Sequence, residues 1–153
     1  MHRTRLAGVG LVVVAVAGVV AVRAHDSGPQ PWSTPEAAHH FLAMSAPLDR
    51  DRARLAALPA TATITDWVAV CRSLSTSNAA YLTDLEHGSW DPALRQYVDA
   101  VVEGARATQA WYDQCRRTST MDGLDALGPL SARLPDVNAT ANLREQLGLS
   151  PTG

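Results

Sequence analysis

Hydrophobic and polar positions along this chain fall into one uninterrupted apolar run and four stretches of helical period. Behind Arg3 and Arg5, Leu6 to Val22 forms a run of seventeen apolar residues, counting glycine. A secretory h-region is roughly 7–15 residues, and a membrane span roughly 17–25. The run therefore reads either as a cleaved signal peptide over residues 1–24 or as a retained N-terminal anchor. Val22 and Ala24 are small enough for the −3 and −1 positions of a cleavage site. Both readings place the remainder outside the cytoplasm, because Arg3 and Arg5 hold the N-terminus inside. A linker, "HDSGPQPWS", follows over residues 25–33.

The first periodic stretch opens at "STPEAAHHFLAM". Ser33 or Thr34 can cap it, Pro35 fits the first turn, and Glu36 suits the positive end of the dipole. Phe41, Leu42, Ser45, Leu48, Leu55 and Leu58 keep an approximate spacing of three or four, which Pro47 is expected to interrupt with a kink or short break. The second stretch, "TDWVAVCRSLSTSNAAYLTDLEHG", has Thr65 or Asp66 as its cap. Trp67, Val70, Cys71, Leu74, Asn78, Tyr81, Leu82 and Leu85 share one face, and Gly88 ends it. The third, from Asp91 and Pro92, carries Leu94, Val98, Val101, Ala105, Thr108, Tyr112 and Cys115 on one stripe. Arg116 and Arg117 close it, where the dipole favours cations. The fourth, roughly 121–147, has Leu124, Leu127, Leu130, Leu134, Val137, Ala141 and Leu147. Pro129 and Pro135 make it irregular.

No segment alternates long enough for a strand. The pattern predicts an all-α fold: an up-down four-helix bundle over residues 34–150, with a kinked first and an irregular fourth helix. Composition agrees, since aromatics are 5% and alanine, leucine and valine must fill the core. Thirteen arginines and no lysine point to a GC-rich genome.

Charge narrows the partners. Residues 1–24 hold three arginines and no acid, so the remainder has ten arginines against fifteen acids, a net of −5. A nucleic-acid partner needs a basic stripe, and none is present. Membrane contact is expected only through residues 6–22, if they are retained.

Two cysteines exist, Cys71 and Cys115. In an exported chain, two cysteines on neighbouring helices most often pair. From Cys71 to Glu86 is fifteen residues, roughly 22 Å, and from Pro92 to Cys115 twenty-three, roughly 35 Å. An extended run through "EHGSWD" can absorb the difference at about 3.3 Å per residue; a tight turn cannot. Buried free thiols, a catalytic thiol near Arg116 and Arg117, or a metal site are the alternatives. The catalytic reading lacks a histidine near in sequence.

His39 and His40 are adjacent, about 100° apart on a helix, and cannot chelate one ion together. A haem, metal or small apolar ligand held by His39 or His40 with Tyr81 or Tyr112 is the alternative to their being solvated or core residues. "LDRDRARL" reads as a solvated face. Trp67, Trp90 and Trp111 suit helix ends and core gaps. No phosphate-cradling glycine loop, "GxSxG" or "HExxH" occurs. No cofactor is expected, and no catalytic residue is assigned.

The segments "HHFLAMSAPLDRDRARLAAL", "AVCRSL", "GSWDPALRQYVDAVVEGARA", "DQCRRT" and "NLREQLGLSP" together resemble small exported proteins, often lipoproteins, of high-GC Gram-positive bacteria. Those have a "YLxLVxPxN"-like opening, a "WPxxVxxxxDxL" third helix and an "LGLP"-like end. The chain departs from that pattern where Trp90 and Pro92 are not contiguous and where no cysteine follows the signal segment. The resemblance implies an extracytoplasmic helical bundle and no particular activity. Together these readings lead to a non-enzymatic helical bundle of the cell envelope that binds an envelope component or protein, with the ligand carrier as the alternative.

Overall fold

The computed structural model describes residues 30–152. The signal or anchor segment and residues 25–29 of the linker lie outside them. Every regular element among the described residues is helical: α1 (Thr34–Ala56), α2 (Ile64–His87), a 3-10 turn (Pro92–Leu94), α3 (Arg95–Cys115), α4 (Met121–Asp125), a second 3-10 turn (Leu130–Arg133) and α5 (Ala139–Gln146). The fold is all-α.

Local chemistry sets each boundary. Ser33 caps α1, and the Glu36 carboxylate accepts from the Ser33 amide at 2.9 Å and from its hydroxyl at 2.6 Å. Pro47 does not break α1. It removes the amide that would have bonded the Ala43 carbonyl, but both residues are exposed and water can serve instead. The α2 cap is Thr63, two residues ahead of the expected Thr65. Asp66 is its reciprocal partner, accepting from the Thr63 amide at 2.8 Å.

Gly88 ends α2 for a different reason than a left-handed turn. Its φ is −62° and its ψ 144°, ordinary extended backbone. A Cβ there would sit 2.5 Å from Trp90 Nε1 and 3.0 Å from Trp32 Cζ3, so the position needs the missing side chain. Asp91 accepts from the Ala93 amide at 2.8 Å, and Pro92 opens a 3-10 turn before α3 begins at Arg95. All seven residues of the expected α3 stripe are buried.

The fourth element departs from a bundle helix. Pro129 and Pro135 divide it into α4, the second 3-10 turn and α5, which has only eight residues. Val137, expected on the buried stripe, is 66% exposed, whereas Leu143 is fully buried. The architecture is thus three long helices closed by short pieces. α2 packs between α1 and α3, and α5 packs on α3.

Cys71 and Cys115 form a disulfide across α2 and α3, with Cα atoms 5.9 Å apart and both residues fully buried. The connection 88–91 runs extended and then enters the 3-10 turn, which absorbs the unequal helix arms. Ser89 in that connection accepts from the Trp32 amide at 2.7 Å, tying the linker to it. Beside the disulfide runs a ladder of side chains. Asn78 donates to Gln109 at 3.0 Å, Gln109 to Ser75 at 3.1 Å, and Ser75 to Asp113 at 2.7 Å. Arg116 donates to the same Asp113 oxygen at 3.0 Å. Such a chain fixes the axial register of two helices, since sliding one breaks every rung.

A disulfide persists in oxidising compartments, and in that respect the fold suits an extracytoplasmic protein. No helix among the described residues is long and apolar enough to cross a membrane.

Candidate functional site: a cleft between α1 and α5

The four residues proposed for a ligand do not converge. His39 and His40 are exposed near the start of α1. The His40 ring stacks on Trp32, centroids 4.2 Å apart, and Trp32 meets Trp90 edge-on at 5.2 Å. His40 lines a shallow groove with Met44, Asp84 and His87. Tyr112 is fully buried beside Trp111, its hydroxyl without a hydrogen-bond partner. Tyr81 is buried on α2, its ring edge-on to Phe41 at 6.3 Å. Among the described residues, no three His, Cys, Asp or Glu side chains are grouped to hold a metal ion. Trp90 and Trp111 serve as helix-end anchors, donating to the carbonyls of Leu85 at 2.8 Å and Gly128 at 3.1 Å.

Tyr81 instead forms the floor of a cleft that the helix pattern did not show. The cleft exists because α5 is short and leans on α3, which leaves a gap toward α1. It has two adjoining lobes of about 330 Å³ each, sharing Arg52, Tyr81 and Thr140. One lobe lies over α3 at Val101, Gly104 and Ala105, roofed by Leu130, Leu134 and Val137. The other lies between Ser45, Asp49 and Arg52 of α1 and Arg144 of α5. The two lobes differ in degree: in the first, the apolar side chains of α3 and the roof are interspersed with Arg52, Thr108, Asp136 and Thr140, and the second is the more polar, with Arg52 and Arg144 beside Asp49.

Each wall follows from local sequence. Tyr81 belongs to the predicted α2 face, and burial pushes its phenol up, outweighing the opposite pull of Arg52 and Arg144. It therefore stays a neutral hydrogen-bonding group near neutral pH. Arg52 pairs with Asp49 at 3.5 Å, with both side chains about half exposed, an interaction worth little. Arg144 donates from Nε to the Ser150 carbonyl at 2.5 Å. Among the described residues no carboxylate lies within ion-pair distance of its guanidinium.

Pattern reading missed Arg52, Arg144, Gly104 and Thr140. The first lay in "LDRDRARL", which was read as a solvated face, and Arg52 is indeed 44% exposed while facing the cleft. Gly104 was the available signal. A glycine inside a helix costs about 1 kcal/mol relative to alanine, and here neither left-handed φ nor a close neighbour requires it.

The chain matches no family model, no curated protein and no solved structure with which it was compared.

Proposed function

We propose that this chain is an exported, non-enzymatic helical module of the cell envelope that holds a small ligand in the cleft between α1 and α5. The observation that supports it is the cleft's make-up: a lobe with apolar side chains from α3 and the roof, continuous with a more polar one across a neutral, buried Tyr81. Ligand sites are mostly apolar concavities of roughly 300–1,000 Å³ with a few placed polar groups. Arginines, a phenol and hydroxyls predominate among the polar lining groups. They hold a ligand by donated hydrogen bonds and charge.

The frame suits this role. The disulfide and the Asn78–Asp113 ladder lock α2 to α3, so the floor is preorganised before a ligand arrives. The permanent cations Arg52 and Arg144 disfavour a free metal ion. The carrier reading therefore narrows to a small apolar or amphipathic molecule.

The test is a titration of the isotope-labelled residues 30–153 with Nile red, a neutral apolar dye, followed by amide chemical shifts. Saturable shifts at Tyr81, Gly104, Ala105 and Thr140 are expected. Shifts confined to the Trp32–His40 groove, or no shift at all, would rule the cleft out.

A further inference from the structure

Resting on the cleft reading above, we infer that the ligand is an anionic amphiphile: a single apolar chain ended by a carboxylate or phosphate. The chain would lie over Gly104, with its head between Arg52 and Arg144.

Three independent features lead there. The first is charge placement. The polar lobe holds two guanidinium groups, from Arg52 and Arg144, against one carboxylate, Asp49; the adjoining lobe adds a second carboxylate, Asp136, whose Oδ1 accepts from the Asn138 amide at 2.8 Å. The Arg52–Asp49 pair is long and half exposed, and Arg144 has a backbone carbonyl for its Nε but, among the described residues, no carboxylate at ion-pair distance. A guanidinium presents a planar fork of donors that matches carboxylate and phosphate oxygens. Tyr81 adds a neutral phenol at the junction of the lobes.

The second is the empty floor. A Cβ on Gly104 would meet only Leu134 Cδ2, at 4.0 Å. The glycine thus costs helix stability without relieving a clash. What it leaves is space: Val101, Gly104 and Ala105, each buried, line the α3 side of the lobe beneath Leu130 and Leu134, a trough for a methylene chain.

The third is the mouth. Val137, 66% exposed, lines the lobe over α3. It extends the apolar path from the trough toward solvent, where a chain longer than the trough would emerge.

The experiment measures calorimetric binding of five probes, each below its micelle concentration, to the protein with its disulfide intact. The probes are dodecanoate, dodecyl phosphate, dodecanol, dodecyltrimethylammonium and butyrate. Dodecanoate or dodecyl phosphate is expected to bind at least tenfold more tightly than dodecanol, and the tighter of the two names the head group. Arg144→Met should remove that tenfold advantage and leave dodecanol within twofold. Gly104→Leu should weaken every twelve-carbon probe at least tenfold, with Gly104→Ala as the folded control. Thr140→Trp, on the exposed first turn of α5, is a second way to fill the cleft if Gly104→Leu does not fold. Equal affinity for dodecanol and dodecanoate, indifferent to Arg144→Met but lost in Gly104→Leu, would overturn the anionic head and leave the cleft a ligand site. Butyrate binding as tightly as dodecanoate would overturn the chain. No binding by any probe, or binding unchanged by both filling variants, would overturn the amphiphile. Absence of Nile red shifts in the cleft would then remove the ligand-site reading as well.

Discussion

Replacing both cysteines, Cys71→Ala with Cys115→Ala, isolates what the disulfide contributes. The bond joins residues 44 apart in sequence. In the chain-entropy picture, closing a loop of that size restricts the unfolded chain by about 4 kcal/mol at 25 °C. Both cysteines are fully buried, so deleting the sulfurs adds a small packing loss of the same sign. Against a typical domain stability of about 5–15 kcal/mol, the loss is large but need not unfold the protein. The Asn78–Gln109–Ser75–Asp113 ladder still holds α2 to α3 in register. At roughly 4 °C per kcal/mol for a domain near this size, the double variant should melt about 15 °C lower. Differential scanning calorimetry of the oxidised protein and the variant, at one pH, measures this directly. The same burial protects the bond from reductant: thiol–disulfide exchange needs access to sulfur, so reduction of the native protein should be limited by opening of the α2–α3 hairpin. A melting difference under about 3 °C, or reduction of the folded protein as fast as that of a peptide disulfide, would refute the picture of a buried staple.

Three further outcomes follow from particular residues. Tyr112→Phe should leave stability unchanged or raise it by up to about 1 kcal/mol, because it removes a buried hydroxyl that has no partner; chemical denaturation with and without the hydroxyl measures it. Gly88→Ala should cost about 1–3 kcal/mol, since the new Cβ would press on Trp90 and disturb its bond to Leu85; tryptophan emission reports the shifted ring alongside the denaturation midpoint. Acid should destabilise the fold in a defined window. Hydrogen bonding by Ser75, and then by Gln109 and the Arg116 guanidinium, outweighs burial and holds the Asp113 carboxyl below the usual carboxylate range, and the caps do the same for Glu36 and Asp66. A depressed folded-state value stabilises above the unfolded value and is lost as pH falls through the folded one. The urea midpoint should therefore hold from pH 7 to about pH 5 and fall below about pH 4, less steeply in Asp113→Asn.

The long helices and the staple were legible in the sequence because each rests on local or pairwise rules. The period of 3.6 placed Leu94 to Cys115 on one stripe, and all seven residues are buried there. Asp91 and Pro92 marked the start of the third helical segment through capping chemistry that acts within a few residues. The cysteine pair was readable from the signal-like N-terminal pattern and from helix rise. The α2 cap was misplaced by two residues, because "ATATIT" offers several hydroxyls and only the reciprocal bond between Thr63 and Asp66 selects one. The role of Gly88 was misassigned, since its reason lies in two indoles that the chain brings in from Trp32 and Trp90.

What the sequence by itself determined is the set of helical faces, since amphipathic period and end caps are properties of a few consecutive residues. What only the tertiary structure decided is which faces stay open. Pro129 and Pro135 forecast an irregular fourth segment, but not that α5 would settle on α3 and leave a gap toward α1 beside the buried Tyr81. Arg52 and Arg144 are ninety-two positions apart and carry no shared pattern. Their meeting across one cleft depends on how three packed helices orient a fourth, short one, and long-range packing of that kind leaves no periodic trace in the chain.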